Sequence, residues 1–462
     1  MLKPFDYAGL SLYLLLMVWI GWKTRRTPKF GDYALASKQL PAFLIFASLA
    51  ATYIGPGFTM GAVAKGSEIG ILAYFSFLPF ALQTVVVGFF FAPKLAAFKG
   101  CSTIGDVMRV QFGKETQILT GIMSAVVCML FTAFLAKVGG SLLQSVTGIS
   151  LTTGVVVFTF ASVFYTVYGG LRATVLTDTV QFIMFSLVIP IIAIAILASP
   201  HFNFNTAAES FTSLANLTLE KEGAVNIFGV ALSFLLGETL IPPYANRALA
   251  APTPDISKKA FVMAGIFAIF WLALMTGIGG AANQVLDQGA QRGDSTLFSI
   301  TAAVLPPGFY GLLVMAVVAV IMSSQDSVVN AGTVSLTRDL VVPFKSLDDK
   351  DQVVLSRMFC VIIALGGIAV AAYLPGIIEA LLLIYSLWAP TVLVPLLLSL
   401  VIRKPGRHAA WPAIISGGLA SVGWRWIPEY STFIPAILPG VVVSAVAFVV
   451  GHVISKKWSL GK

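Results

Sequence analysis

The stretch Ala50-Ala51-Thr52-Tyr53-Ile54-Gly55-Pro56-Gly57-Phe58-Thr59 places a helix-breaking sequence inside a long apolar run, 40–65. Pro56 lacks a backbone N–H, and the flanking glycines are conformationally free, so a continuous helix is unfavourable here. In lipid, such a break is tolerated only where the freed backbone groups line a cavity or meet a ligand. The stretch therefore predicts a binding site, with a plain proline kink as the alternative.

A second apolar run, 223–248, has a matching interruption at Gly237-Glu238 and Pro242-Pro243. Five predicted spans separate the two breaks, so spans 2–6 and 7–11 form two equivalent five-helix units. Paired Gly/Pro interruptions at corresponding positions are typical of inverted-repeat transporters with a binding site at the membrane midplane. The pairing favours a site over two unrelated kinks.

The composition indicates an integral membrane protein. Of 462 residues, 58% are hydrophobic and only 11% are charged, whereas roughly a quarter are charged in soluble chains. The net charge of +9 is spread over many loops and does not indicate a nucleic-acid partner. The 3 cysteines are widely spaced, which favours neither a disulfide framework nor a metal site.

Apolar runs between charged or Pro/Gly-rich breaks predict about thirteen membrane-spanning helices. These are 7–22, 40–65, 70–93, 118–146, 150–169, 175–199, 223–248, 259–283, 308–336, 355–374, 376–402, 409–426 and 432–455. Most of the 29 basic residues lie in alternate loops, including Arg247, Lys258 and Lys259 in the seventh. The positive-inside rule predicts an outside N-terminus and a cytoplasmic C-terminus, in the plasma membrane.

Ionisable side chains inside spans are rare and costly, so each is a candidate functional residue. Asp326 lies in Met322-Ser323-Ser324-Gln325-Asp326-Ser327 of the ninth span. On a helix Ser323, Asp326 and Ser327 share one face, which offers hydroxyl and carboxylate oxygens to a hard cation. The alternative is serines bonded within their own helix, with Asp326 paired to a neighbour.

Four other ionisable residues have competing interpretations. Asp178 begins the predicted sixth span, where an N-cap role is the alternative to a functional one. Lys137 requires a carboxylate partner or an anionic ligand, unless its head group reaches the outer interface. For Glu238 the alternatives are pairing with Lys137, contact with a cationic solute group, and proton carriage. We interpret Lys65 as an interfacial anchor.

At these residues the sequence resembles the sodium:solute symporter family, whose members share a LeuT-type inverted-repeat fold. Three segments in the family's order carry the resemblance: Tyr168-Gly169-Gly170-Leu171-Arg172-Ala173 with Thr177-Asp178 and Gln181, then Arg247-Ala248-Leu249-Ala250-Ala251, then Met322 to Ser327. The resemblance implies an all-α membrane protein with a 5+5 inverted repeat, one extra N-terminal helix and two C-terminal helices. The implied units are 1–39 (extra helix and first cytoplasmic loop), 40–199 (first repeat), 200–222 (extracellular loop), 223–402 (second repeat) and 403–462 (last two spans).

The resemblance also implies the site residues. The main sodium site would use the carbonyls of Ala50, Tyr53 and Val320 and the hydroxyls of Ser323 and Ser324. A second cation site would map onto Asp178, Ser323, Asp326 and Ser327, where the extra carboxylate of Asp326 strengthens the site or makes it a proton site. The solute site would be walled by Thr52, Gly55, Pro56, Gly57, Ser76, Lys137, Glu238, Tyr385 and Trp388.

The implied function is secondary active symport, not catalysis, with sodium as the coupling ion and no organic cofactor. The expected partners are a small organic solute, sodium ions and lipid, and a monomer suffices. Lys137 favours a carboxylate or amino-acid-like solute, because a counter-charge is effective at low dielectric. The alternatives are a proton-coupled carrier that titrates Glu238 or Asp326, and a choline-like cation symporter, to which Tyr244 to Arg247 has some likeness.

Overall fold

The computed structural model describes residues 3–24, 29–200, 202–287, 290, 292–427 and 434–460, and the regular elements among them are helical. The α-helices are α1 (Pro4–Thr24), α2 (Phe30–Leu35), α3 (Ala42–Tyr53), α4 (Ala62–Ile69), α5 (Ile71–Phe90), α6 (Ala92–Ala96), α7 (Ile104–Phe112), α8 (Lys114–Thr147), α9 (Leu151–Leu197), α10 (Phe204–Gly237), α11 (Pro242–Ala250), α12 (Pro254–Val285), α13 (Thr296–Val304), α14 (Pro307–Ser335), α15 (Asp349–Ala371), α16 (Ile377–Trp388), α17 (Val394–Val401), α18 (Ala410–Trp424) and α19 (Ile437–Leu460). Short 3₁₀ or π-helical turns lie at Ala36–Lys38, Gly57–Gly61, Gly293–Ser295, Leu336–Val341 and Ala389–Leu393.

Within the described part of the chain, 9 helices are long and apolar enough to cross a membrane, or up to 11 if two bent pairs each count as one span. The predicted fifth and sixth spans, 150–169 and 175–199, fall within the single helix α9, which bends at Gly170. The all-helical membrane fold is therefore present, and the total of thirteen spans stays a prediction.

Both helix breaks that the sequence indicates are present. Helix α3 ends at Tyr53, Ile54 has non-helical dihedrals, and the chain continues through Pro56 and a π-helical turn into α4. Helices α10 and α11 differ in direction by 41°, with Leu240 between them at a φ of 50°. Helix α14 packs against both α3 and α11, so it lies next to both breaks.

The bend in α9 depends on Gly170. Its φ of 56° and ψ of −153° are unfavourable for a residue with a side chain. A Cβ atom at this position would also lie 2.5 Å from the carbonyl oxygen of Tyr33. Because the helix continues beyond the bend, Asp178 lies well inside α9, and the N-cap alternative for Asp178 is wrong.

We expect Gly170→Ala to destabilise the protein more than Gly148→Ala does. Gly148 also has a positive φ, 79°, but an added Cβ there meets no atom within 4 Å. Both variants bear backbone strain of about 1–3 kcal/mol, and only Gly170→Ala adds a clash with the backbone. Thermal unfolding of both proteins in the same detergent measures the difference, and equal midpoints would contradict the role of Gly170.

Candidate functional site

The break after α3 meets two hydroxyls of α14. Ser323 Oγ donates to the carbonyl oxygen of Ala51 at 3.1 Å or of Val320 at 3.0 Å. Ser324 Oγ lies 3.3 Å from the Thr52 carbonyl oxygen and 3.2 Å from that of Val320. These buried oxygens from two helices form a cluster without nitrogen or sulfur ligands, a chemistry that suits a hard cation.

The atoms at this contact differ in part from those expected of the main sodium site. Val320, Ser323 and Ser324 lie together as the resemblance implies. The α3 carbonyls that face the hydroxyls are those of Ala51 and Thr52. The Ala50 carbonyl instead accepts the backbone N–H of Ile54 at 2.9 Å, and the Tyr53 ring stacks on Tyr244 with centroids 3.8 Å apart.

Arg247 is fully buried in α11 and is not the loop residue that the charge distribution indicated. Its Nη2 donates to Asp178 Oδ2 at 3.0 Å and also to Ser327 Oγ. Its Nε donates to Ser48 Oγ at 3.2 Å, and Ser48 and Ser327 in turn donate to Asp178 Oδ2 at 2.5 and 3.2 Å. A buried ion pair needs such dense hydrogen bonding to offset its desolvation. The guanidinium thus joins α3, α9, α11 and α14.

Asp326 lies apart from the Arg247 hydrogen bonds. Its Oδ2 accepts the Tyr165 hydroxyl at 2.9 Å and the Thr177 hydroxyl at 3.3 Å. The predicted second cation set of Asp178, Ser323, Asp326 and Ser327 is therefore divided among three arrangements. Asp178 and Ser327 hold the guanidinium, Ser323 contacts α3, and Asp326 faces α9.

Glu238 lies at the second break and is held by two tyrosines. The Tyr244 hydroxyl donates to its Oε1 and the Tyr385 hydroxyl to its Oε2. The carboxylate is buried, and the Tyr244 oxygen also lies 3.5 Å from the Thr52 carbonyl oxygen. Glu238 is thus close to both breaks.

A cavity between the two breaks adjoins these groups. It is bordered by Thr52, the Gly55-Pro56-Gly57 break, Glu238, Tyr244 and Ser324, with Phe58, Phe131 and Phe134 on its apolar side. The enclosed free space is about 20 Å³, enough for about one water molecule. The protein is closed around this position, so helices must move apart to admit a solute.

Lys137 does not join this cavity. Its Nζ donates to the carbonyls of Leu374 and Pro375, so it is not paired with Glu238. Lys65 forms an exposed ion pair with Glu68 at 2.7 Å.

The remaining predicted solute residues are buried but do not border the cavity directly. Ser76 lies on α5. Trp388 donates its Nε1–H to the Thr239 carbonyl at 2.9 Å, and Tyr385 reaches the cavity only through Glu238. Sequence reasoning assigned no role to Ser48, Tyr165, Thr177 and Phe58, because single hydroxyls and aromatic rings in apolar runs carry no local signal.

The sequence profile of the sodium:solute symporter family matches residues 33–417. The chain belongs to the sodium:solute symporter family. The sodium/pantothenate symporter of Escherichia coli (strain K12) is 24% identical over 96% of this chain and 93% of its own length. The osmoregulated proline transporter OpuE of Bacillus subtilis (strain 168) is 26% identical over 97% of this chain and 94% of its own. The family and its LeuT-type fold, expected from the resemblance, are thereby confirmed.

Among solved structures, a Na⁺-coupled sialic acid symporter in a substrate-bound outward-open state superimposes with a TM-score of 0.80. It is 17% identical, and the alignment covers 98% of each chain. A match over nearly the full length of this symporter indicates that the whole chain adopts the fold.

We expect Arg247→Gln to destabilise the protein by roughly 3–5 kcal/mol, because Asp178 stays buried without its cation. The double variant Arg247→Gln/Asp178→Asn removes both charges and should recover part of the loss. Lys65→Gln is the control, since its side chain and that of Glu68 are 33% and 46% exposed, and exposed pairs contribute about 1 kcal/mol or less. Thermal unfolding in detergent measures all three, and equal effects of Arg247→Gln and Lys65→Gln would contradict the assignment.

Proposed function

We propose that this symporter couples sodium entry to uptake of a small amino-acid-like solute with an amine group. The observation that carries the proposal is the charge of the cavity between the two breaks. The carboxylate of Glu238 borders it, and the Lys137 ammonium is engaged with carbonyls elsewhere. A buried carboxylate with free lone pairs favours a cationic group of the ligand.

Backbone groups at the first break complement the other end of such a solute. Gly55, Pro56 and Gly57 border the cavity just before the π-helical turn that leads into α4. The start of a helical segment presents unpaired N–H groups, which favour a carboxylate. The relatives named for proline transport and for pantothenate or sialic acid transport carry solutes that share a carboxylate, in agreement with this orientation.

Sodium would bind between α3 and α14. The carbonyls of Ala51, Thr52 and Val320 and the hydroxyls of Ser323 and Ser324 supply the oxygens, once the hydroxyl protons turn away. Ion binding then fixes the last turn of α3 against α14 and prepares the adjoining solute position. Solute binding closes the outer side, the two repeats rock, and loss of sodium to the cytoplasm releases the solute.

The membrane potential supplies part of the driving force. One sodium charge moving through 100 mV contributes about 2.3 kcal/mol, which corresponds to roughly fifty-fold accumulation. This mechanism requires a plasma membrane location, with the basic loops and C-terminus in the cytoplasm. The division into repeats at 40–199 and 223–402 belongs to the same proposal.

A choline-like cation is the second candidate, and the aromatic lining of the cavity favours it. Phe58, Phe131, Phe134 and Tyr244 surround the position next to Glu238, and ring faces attract quaternary ammonium groups. Competition of uptake by proline and by choline distinguishes the two, because only the zwitterion uses the backbone at the first break. Uptake that persists without sodium and collapses with a protonophore would replace sodium by proton coupling.

We expect Ser324→Ala to raise the sodium concentration for half-maximal uptake by about tenfold or more, because it removes one oxygen ligand. Ser335→Ala, on the same helix but distant from the break, should leave this concentration unchanged. Uptake into proteoliposomes over a sodium series measures both. An unchanged sodium dependence in Ser324→Ala would exclude this ion site.

We expect Glu238→Gln to weaken binding of an amine-bearing solute by roughly 10–100-fold, since a hydrogen bond to a charged group contributes about 1.5–3 kcal/mol. Lys137→Gln should leave solute affinity within about twofold, because Lys137 contacts carbonyls outside the cavity. Competition for uptake by amino acids and by their deaminated analogues measures the effect. A larger loss in Lys137→Gln would restore the preference for anionic solutes.

A further inference from the structure

Asp326 is a buried carboxylate that the proposed main sodium site does not use. Its side chain is fully buried, and its Oδ2 accepts hydroxyls from Tyr165 and Thr177. Its Oδ1 has no hydrogen-bond partner within the described residues. The carboxylate therefore has an open coordination position.

The bend at Gly170 brings the two hydroxyls together. Tyr165 and Thr177 would lie about 18 Å apart along a straight helix, yet both contact the same oxygen, at 2.9 and 3.3 Å. They reach it from opposite sides of the bend, where φ is 56°. The backbone feature that requires glycine thus builds the surroundings of Asp326.

No basic side chain neutralises Asp326. Arg247 donates to Asp178, Ser48, Ser327 and Pro243. In the part of the chain that the structure describes, Asp326 has no Lys, Arg or His nitrogen within 4.0 Å. A buried charge without a partner is strongly unfavourable.

A charge count over the centre of the protein gives the same result. The described carboxylates there are Asp178, Glu238 and Asp326, and the one buried guanidinium is that of Arg247. Two monovalent cations balance these charges when the solute is a zwitterion. One is the sodium ion between α3 and α14, which leaves one cation to be placed.

Asn330 supplies a further oxygen next to Asp326. It lies four residues later on α14, hence one turn along the same helix face. Asn330 is 1% exposed, and both atoms of its amide lack hydrogen-bond partners among the described residues. An amide buried with neither atom satisfied is unusual, since buried polar groups are normally hydrogen-bonded.

We propose that Asp326, Tyr165, Thr177 and Asn330 bind a second sodium ion between α9 and α14. The ligands would be one carboxylate, two hydroxyls and one amide oxygen, all hard donors. This site differs from the set implied by the resemblance, because Asp178 and Ser327 already hold Arg247. The inference rests on the proposed sodium coupling and makes the stoichiometry two sodium ions per solute.

Equilibrium binding of ²²Na⁺ to the purified full-length protein in detergent tests the proposal. We expect two ions per wild-type molecule, one in Asp326→Asn, and two in the control Ser335→Ala. One ion in the wild type, or two in Asp326→Asn, would overturn the second site while leaving sodium coupling intact. Absence of any sodium binding would overturn the proposed function as well.

A milder variant guards against loss of folding in Asp326→Asn. Asn330→Ala keeps the carboxylate and removes one neutral ligand, so we expect one of the two ions to bind at least tenfold more weakly. Reversal potentials of solute currents in proteoliposomes should correspond to two sodium ions per solute in the wild type and one in Asp326→Asn. Unchanged affinity in Asn330→Ala together with a one-to-one wild-type ratio would refute the site.

Discussion

The central constraint on this protein is that a helix ending inside a membrane must satisfy its last carbonyls without water. Helix α3 ends at such a point, and the carbonyls of Ala51 and Thr52 accept hydroxyls from Ser323 and Ser324. Those oxygens are also the atoms that a sodium ion can coordinate. The hydroxyl contacts keep the break stable in the absence of an ion, so α14 requires small polar residues where it crosses α3.

The features that sequence could predict are local ones. Gly55-Pro56-Gly57 and Pro242-Pro243 signal breaks by their own backbone chemistry, and Asp326 is conspicuous in an apolar run. The partners of these groups lie far away along the chain. Asp178 meets Ser48 across 130 residues and Arg247 across 69, so no local pattern shows that Arg247 is buried. Its charge was assigned to a loop because topology rules consider position along the chain and not depth.

Lys137 shows how a correct observation led to a weaker inference. A lysine inside a span does need a partner, and the sequence offered a carboxylate or an anionic solute. The structure instead uses the carbonyls of Leu374 and Pro375, just beyond the end of α15 at Ala371. Cations are favoured near the C-terminal ends of helices, where carbonyls lack intrahelical partners. The lysine therefore stabilises a helix end and gives no direct information about the solute.

One carbonyl lies between the proposed ion and solute positions. The Thr52 oxygen is 3.3 Å from Ser324 Oγ and 3.5 Å from the Tyr244 hydroxyl, and Tyr244 donates to Glu238. If sodium draws this carbonyl toward α14, Tyr244 loses one acceptor and Glu238 retains its hydroxyl more fully. An amine bound to Glu238 acts on the same hydroxyl from the other side. Because linkage is reciprocal, each ligand changes the affinity for the other through the orientation of a single peptide group.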